Sequence, residues 1–171
     1  KELEQWKQNQ GYFDKNLENL KKELENALKT FAESILKDEN NLLTSGVEKQ
    51  EKAFNYLVSF LMSFASRTGT RDRLNIFTTN YDRNIELGAD IAGLRLIDRF
   101  VGTICPIFRA SRMDIDYHYN PPGIRGEPRY VEGVAHYTKL HGSIDWAYSN
   151  SEIRRIGLPF GAKDIIPYLQ S

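Results

Sequence analysis

Two short polar segments carry the side chains in this sequence that could do chemistry together. The first is Thr78–Asp82 (TTNYD), which follows the largely apolar segment Leu74–Phe77 (LNIF). The second is Lys139–Trp146 (KLHGSIDW), which contains His141 and also comes at the end of an apolar stretch. A histidine beside an amide and a carboxylate can act as a general base, with the amide orienting a water or a hydroxyl. These residue types therefore indicate proton-transfer chemistry on a small bound molecule.

The same residues also have structural interpretations. Asn80 and Asp82 are of the types that form turns, and Asp82 is placed to cap a following helix. His141 could satisfy backbone groups of its own turn. Spacing alone does not decide between the catalytic and the structural interpretation.

Strands must position both segments if they act together. Leu74–Phe77 predicts a short buried strand with TTNYD at its carboxyl end. Residues 83–94 (RNIELGADIAGL) predict the helix that Asp82 would cap. In open α/β sheets, ligands bind outside the carboxyl ends of the strands. If the two strands are neighbours in one parallel sheet, we expect Asn80 and His141 to converge in one pocket.

Apolar residues recur at helical spacing in the first part of the chain. One stripe contains Phe13, Leu17, Leu20, Leu24, Leu28, Phe31 and Ile35. It predicts an amphipathic helix that packs on the core, and the alternative is a partner-binding helix or coiled-coil arm. Residues 38–46 are interpreted as a loop, and Val47–Ala65 as a second, more hydrophobic helix. We expect the two helices to pack together near the sheet.

The second half of the sequence predicts further strands. Leu96–Val101 indicates one strand, and the alternation over Met113–Tyr119 indicates another. Asn120–Pro128 (NPPGIRGEP) is dense in proline and glycine, so we expect a β-hairpin around it. Val131–Leu140 predicts a strand with a glycine interruption. The fold class is therefore α/β, with a mainly parallel sheet flanked by helices.

Composition excludes several classes of protein. The 171 residues suit one domain or a large part of one, and 23 basic residues balance 23 acidic ones. Neutrality gives no argument for nucleic acid or an anionic membrane, and the longest apolar run, Leu57–Ala65, is too short to span a bilayer. A single cysteine, Cys105, excludes an internal disulfide and a four-cysteine zinc site, and suits the cytoplasm. Because the chain begins with Lys1, we expect it to be an internal fragment.

The two polar segments together resemble the SIR2-like family. In sirtuins a TQNID segment follows a sheet strand, and an LHG segment carries the catalytic histidine. The matching residues here are Thr78, Asn80 and Asp82 in the first segment and Leu140–Gly142 in the second. The form TTNYD with LHGSIDW looks most like the SIR2-like domains of bacterial antiphage defence proteins, which consume NAD. The resemblance covers residues 74–82 and 137–146, is looser over 96–102, and says little about residues 1–70.

The sequence departs from the sirtuin pattern in four ways. With Cys105 as its one cysteine, the chain lacks the sirtuin zinc module, and Thr79 replaces the glutamine of TQNID. The interval from Asn80 to His141 is 61 residues, long for a sirtuin, so we expect an insertion near residues 102–136. Before Asn80 there are three isolated glycines and no glycine-rich loop for the NAD phosphates. That loop either lies upstream of Lys1 or was never present.

The resemblance implies an NAD hydrolase that cleaves the bond between nicotinamide and ribose, with NAD as substrate and no metal. The implied catalytic residues are Asn80 and His141, and the implied NAD-binding residues are Thr79, Asn80, Asp82 and His141. Asp82 would bind the nicotinamide carboxamide, and Asn80 would contact the ribose or place the attacking water. His141 would take a proton from a ribose hydroxyl.

The resemblance also implies an architecture and partners. Residues 1–171 would form part of one SIR2-like domain with a Rossmann-like sheet, helical over 1–70 and strand-rich over 71–171. We expect a cytoplasmic homo-oligomer that pairs with a HerA-type ATPase or an Argonaute-like protein, without direct contact to nucleic acid or membrane. The alternatives are a catalytically silent SIR2-like scaffold and an NAD-dependent protein deacylase, the latter disfavoured by the missing zinc module.

Overall fold

A computed structural model of the protein describes residues 2–65, 73–111, 115–120, 122 and 129–165, with side chains for all except 2–13, 129 and 130. The chain divides into two units, residues 1–34 and residues 35–171. The described residues of the first unit are helical throughout. The strands and the candidate site all belong to the second unit.

Three helices and nine strands lie within the described part of the chain. The helices are α1 (Glu2–Thr44), α2 (Val47–Ala65) and α3 (Asn84–Ala92). The strands are β1 (Leu74–Thr78), β2 (Arg95–Ile97), β3 (Phe100–Val101), β4 (Ile107–Phe108), β5 (His118–Tyr119), β6 (Arg129–Tyr130), β7 (Val134–Lys139), β8 (Trp146–Ser149) and β9 (Glu152–Arg155).

A three-stranded parallel sheet carries both motifs. Its order is β1–β7–β2, so the strand that comes last in the chain is central. Leu74 lies opposite Ala135 and Thr78 opposite Lys139, and Leu96 faces Ala135 from the other side. The expectation that β1 and β7 are parallel neighbours is confirmed. The fold is mixed α/β, with a parallel sheet flanked by helices.

Two antiparallel sheets accompany the parallel one. The first has the order β3–β4–β9–β8 and is closed by the β8–β9 hairpin, in which Trp146 lies opposite Arg155. The second pairs β5 with β6 and is the hairpin expected around the proline-rich turn. Most of that turn, 121 and 123–128, lies outside the described residues.

The core lies between helices α2 and α3 and one face of the parallel sheet. Its buried residues are Leu61, Ala89, Leu94 and Ala135. Partly buried apolar residues packed against them are Ala65, Leu74, Ile76, Ile85, Ala92 and Leu96. Since successive side chains of β1 point to opposite faces, Leu74 and Ile76 join this core while Phe77 remains 65% exposed. The sequence interpretation of this strand as fully buried is therefore wrong, because one face is open.

Helix α3 begins and ends where its sequence signals indicate. The N-cap position belongs to Arg83 and carries no side-chain capping bond, so the predicted capping by Asp82 is wrong. Oδ1 of Asp82 instead accepts from the backbone N–H of Asn84 at 3.0 Å, two residues along, in a turn that leads into the helix. At the other end Gly93 has φ 69°, the left-handed conformation that stops a helix and favours glycine. The predicted helix over 83–94 is thus confirmed, as is the second helix at Val47–Ala65.

The predicted loop over residues 38–46 is wrong, because α1 continues to Thr44. Asp38, Asn40 and Asn41 suggested a loop by composition, but Glu39 of the same segment is 1% exposed and paired with Arg83. A long-range ion pair therefore stabilises the helical conformation of residues whose own propensity is weak. The break between α1 and α2 shrinks to Ser45 and Gly46.

The apolar stripe of α1 is helical as predicted, but the expectation that it packs on the core is wrong for its described central residues. The exposed fractions of Leu17, Leu20, Leu24, Leu28 and Phe31 range from 42% to 66%. Burial begins further along, at Leu36, which is 1% exposed. Periodicity identifies the apolar face of a helix, but it does not say what covers that face.

Two predicted strands differ from the structure. Leu96–Val101 is divided into β2 and β3, which belong to different sheets, because Arg99 between them has φ 67°. Met113–Tyr119 contributes only His118 and Tyr119 to a strand, and residues 112–114 lie outside the described part. The strand predicted over Val131–Leu140 is present as β7, which follows Gly133 at φ 69°.

Among the described residues, none forms a helix of the length and apolar character needed to cross a membrane.

Replacement of Gly88 by alanine should lower the melting temperature. A Cβ at this position would lie 2.5 Å from Cγ of Leu57 and 3.0 Å from Cδ1 of Leu61, so α2 and α3 would have to move apart. Overpacking of this kind costs about 1–3 kcal/mol, more than the roughly 1 kcal/mol that alanine gains over glycine in a helix. Thermal unfolding followed by circular dichroism measures the change.

The matched control is Gly46→Ala, where an added Cβ meets no atom within 4 Å. Its melting temperature should stay close to that of the wild type. Equal melting temperatures for Gly88→Ala and wild type would contradict the close helix packing.

Candidate active site at the ends of strands β1 and β7

The two motif turns meet at one edge of the parallel sheet. Leu140 N–H donates to the carbonyl of Thr78 at 2.8 Å, which carries the β1–β7 pairing one step past the strands. Ile144 N–H donates to the carbonyl of Tyr81 at 3.1 Å. The rings of Tyr81 and His141 lie 6.4 Å apart, centroid to centroid. TTNYD and LHGSIDW therefore form one surface.

A buried ammonium group links the two turns from below. The side chain of Lys139 is 1% exposed, and its Nζ forms an ion pair with Oε1 of Glu86 at 2.9 Å. The same Nζ donates to the backbone carbonyl of Asp82 and lies 2.8 Å from Oγ of Ser143. A buried charge is tolerated when it is paired and hydrogen-bonded, and Lys139 is both.

Glu86 and Tyr137 complete this polar cluster. Burial raises the pKa of Glu86, and the ion pair with Lys139 lowers it by less than burial raises it. The Tyr137 hydroxyl donates to Oε2 of Glu86 at 3.0 Å. Burial, followed by the nearby negative charge of Glu86, raises the pKa of Tyr137, so the phenol stays neutral and remains a donor. Helix α3 is thereby fastened to the end of β7.

A second buried ion pair lies immediately after the first motif. The guanidinium of Arg83 donates through Nη2 to Oε2 of Glu39 at 2.6 Å and through Nε to Oε1 at 3.1 Å. Arg83 also donates to the carbonyls of Leu158 and Pro159. Gly161 N–H donates to Oε2 of Glu39 at 3.2 Å. Helix α1, the TTNYD turn and the segment after β9 are joined at this pair.

A cavity of about 550 Å³ opens beside the second motif. His141, Ser143 and Tyr81 line it from the motif side. Other lining residues come from the antiparallel strands and from the turn between β2 and β3. They are Asp98 and Arg99 in the turn, Phe108 in β4, Trp146 and Tyr148 in β8, and Ile153 and Arg155 in β9. This size and this mixture of aromatic and charged groups are typical of sites for small molecules.

The four sequence-predicted site residues do not all reach the cavity. His141 lines it and is exposed. Thr79 and Asn80 are exposed and are not among the described lining residues. The backbone N–H of Asn80 donates to Oγ1 of Thr78 at 3.1 Å. Asp82 is partly buried, and Oδ1 of its carboxylate serves the α3 backbone. The motifs converge, but the cavity lies on the side of the histidine.

Sequence reasoning missed several charged residues that build the site. Glu86, Asp98 and Arg155 each contribute to the cavity or to the cluster beneath it. Arg155 bridges two carboxylates, with Nη2 at 2.6 Å from Oδ2 of Asp98 and Nε at 3.4 Å from Oδ2 of Asp145. Lys139, Ser143 and Asp145 could be named from the second motif, but no local signal identified their distant partners.

Within the described ranges, no cluster of three or more histidine, cysteine, aspartate or glutamate side chains is arranged to hold a metal ion.

Comparison with known proteins adds no relative to this geometry. No protein-family model matches the chain, and no curated protein matches it either. The motifs and the site geometry therefore carry the functional argument.

The Lys139→Met variant should lose about 3 kcal/mol of unfolding free energy. The substitution keeps the volume but leaves the partly buried Glu86 carboxylate without its cation, and breaking a buried pair typically costs 3–5 kcal/mol. Because the Glu86 side chain is 24% exposed, the loss should lie at the lower end. Urea denaturation of both proteins measures it, with Lys163→Met at an exposed position as control. An equal effect of the two substitutions would contradict the pairing.

Glu86 should make stability depend on pH. Its pKa is raised on folding, so the native protein binds the proton more tightly than the unfolded chain. The contribution of Glu86 to stability is therefore fully present at a pH below 4.5, the ordinary pKa of the group. It is lost as the pH rises through the raised pKa of the folded protein. Glu86→Gln should flatten this part of the profile, whereas Glu132→Gln at an exposed position should not. Denaturation midpoints across a pH series compare the slopes, and parallel profiles for Glu86→Gln and wild type would refute this assignment.

Proposed function

We propose that this chain is part of a Rossmann-like, SIR2-like domain that hydrolyses NAD to nicotinamide and ADP-ribose. The observation that carries the proposal is the meeting of TTNYD and LHGSIDW at the carboxyl edge of one parallel sheet, beside a cavity that His141 lines. Ligands of open α/β sheets bind at this edge. The motifs are the same two that resemble the family.

The chemistry requires little from the protein beyond positioning and one proton transfer. The pyridinium of NAD is already a good leaving group, so cleavage proceeds toward an oxocarbenium-like transition state. His141, exposed at the cavity, takes a proton from a ribose hydroxyl or from the attacking water. Asn80 orients the ribose or that water. Asp82 holds the nicotinamide carboxamide with the carboxylate oxygen that does not serve the α3 backbone.

A second candidate function has support from a different observation. Thr79 and Asn80 are exposed rather than lining the cavity, and α1 presents the uncovered apolar stripe described above. Exposed apolar patches are typical of protein interfaces. A catalytically silent scaffold that binds a partner or a second copy would show both features. Antiphage defence, with an ATPase or an Argonaute-like protein as partner, belongs to the proposal of the NAD-consuming domain and not to this alternative.

His141→Ala should reduce NAD hydrolysis by the intact protein about 10²–10⁴-fold, because loss of a general base typically has this effect. Asn80→Ala should be impaired to a similar degree, since misplacement of a reacting group is costly by itself. Nicotinamide release measured by chromatography, with the activating partner present, gives the rates. Melting temperatures of the same preparations show that both variants are folded.

The control for this experiment is His118→Ala, an exposed histidine in β5 of a separate sheet. It should keep the wild-type rate. A folded His141→Ala protein with full turnover would end the catalytic assignment, and absence of NAD loss in the activated wild type would favour the scaffold. NAD-dependent removal of the acetyl group from an acetyl-lysine peptide would instead identify a deacylase.

A further inference from the structure

Arg99 occupies an unusual backbone conformation in the wall of the cavity. It lies in the two-residue turn between β2 and β3 and has φ 67°. This left-handed region suits glycine, whereas a residue with a long side chain rarely adopts it. Outliers of this kind persist only when their surroundings impose them, and they cluster at ligand sites.

Three interactions hold the turn around Arg99 in place. Oδ1 of Asp98 accepts from Phe100 N–H at 3.1 Å, across the turn. Oδ2 of the same carboxylate accepts from Nη2 of Arg155 at 2.6 Å. The carbonyl of Arg99 accepts from Arg109 N–H at 3.0 Å. The surroundings therefore fix the backbone of Arg99, and its side chain plays no part in fixing it.

The charges that line the cavity differ in whether they are paired. Lys139 is neutralised by Glu86, and Arg155 lies between Asp98 and Asp145. In contrast, the side chain of Arg99 forms no hydrogen bond or ion pair with any described residue. Arg99 is thus a cation on the cavity wall that no described side chain pairs with.

Aromatic groups line the same cavity as Arg99. The rings of Phe108 and Trp146 both line the cavity, with centroids 6.0 Å apart and planes inclined by 36°. A cation and aromatic rings in one cavity suit a molecule that has both an anionic group and a planar ring.

We propose that Arg99 forms an anion subsite that binds the phosphate groups of a nucleotide, with Phe108 and Trp146 receiving its ring. Arg is well suited to this role because its planar fork of donors matches phosphate oxygens. The choice of NAD as the nucleotide rests on the proposed function, but the anion subsite does not. The left-handed turn fixes the backbone of Arg99 on the cavity wall before the ligand arrives, so only the side chain has to be ordered on binding.

Calorimetric titration of the intact protein tests the subsite with three probes: inorganic pyrophosphate, ADP-ribose, and nicotinamide riboside, which has no phosphate. Arg99→Gln should lower the affinity for pyrophosphate and for ADP-ribose about 10- to 100-fold, the effect expected for a lost charge-assisted hydrogen bond. Nicotinamide riboside should bind as it does to the wild type. Arg109→Gln, an exposed arginine paired with Glu152 outside the cavity lining, is the matched control and should bind all three probes normally.

Arg99→Gly separates ligand binding from a structural role. Glycine relieves the left-handed strain, so this variant should melt at a higher temperature than the wild type while losing pyrophosphate affinity. Arg99→Lys should restore part of the affinity, because it keeps the charge without the planar fork. A residue with only a structural role would lower the melting temperature when replaced and leave affinity for pyrophosphate unchanged.

The outcomes distinguish this inference from the proposed function. Pyrophosphate binding that depends on Arg99, in a protein that does not consume NAD, would support the anion subsite and contradict the proposed NAD hydrolysis. If the protein hydrolyses NAD and Arg99→Gln changes neither KM nor the affinity for ADP-ribose, the proposed function would be supported and the subsite contradicted. Failure of the wild type to bind pyrophosphate and ADP-ribose at millimolar concentration would overturn the subsite.

Discussion

The buried ammonium group of Lys139 is the interaction on which the candidate site depends. Moving a charge out of water is unfavourable, and the protein offsets this cost by surrounding one nitrogen with oxygen atoms from α3, from the TTNYD turn and from the LHGSIDW turn. Each of these oxygens is thereby held at a fixed distance from the others. The geometry of the turns follows from the need to satisfy the lysine, since neither turn alone supplies enough acceptors.

The second buried pair, Arg83 with Glu39, acts in the same way at longer range. Glu39 accepts hydrogen bonds from Arg83 and from Gly161, which lies 122 residues further along the chain. Arg83, the residue after Asp82, is thus held by α1 and by the segment beyond β9, while Asp82 accepts from the first backbone N–H of α3. Two buried charges on either side of the first motif leave its backbone little freedom. Rigid support of this kind is what a site needs to hold reacting groups within a fraction of an ångström.

Local patterns made part of the fold predictable. The apolar-to-polar change at β1 and the helical period of α2 are signals contained in a few neighbouring residues, and they predicted a strand and a helix that the structure contains. The meeting of the two polar turns at one sheet edge was also predicted, on the condition that their strands are parallel neighbours, and that condition is met. For the candidate site, the sequence indicated the two turns and the cavity-lining His141.

The remainder could not be predicted because it depends on partners distant in the sequence. Glu39 makes residues 38–44 helical through Arg83, 44 positions away. The division of residues 96–101 into two strands depends on how Asp98 meets Arg155, 57 positions away. The position of the cavity depends on the antiparallel strands, whose short lengths leave almost no periodic signal. The exposure of the α1 stripe could likewise not be predicted, because apolar periodicity identifies one face of a helix but not what surrounds that face.

The central position of β7 has a consequence for how the protein is made. Both neighbours of β7 precede it in the chain, and they pair with β7 but not with each other. As the chain leaves the ribosome, β1 and β2 therefore emerge with their pairing edges unsatisfied and wait for a strand that is synthesised later. Unpaired strand edges with apolar side chains are prone to association with other chains. The sheet can therefore form only after Val134–Lys139 has been synthesised. Lys139, whose ammonium group holds the two turns of the candidate site, is the last residue of that strand to be added.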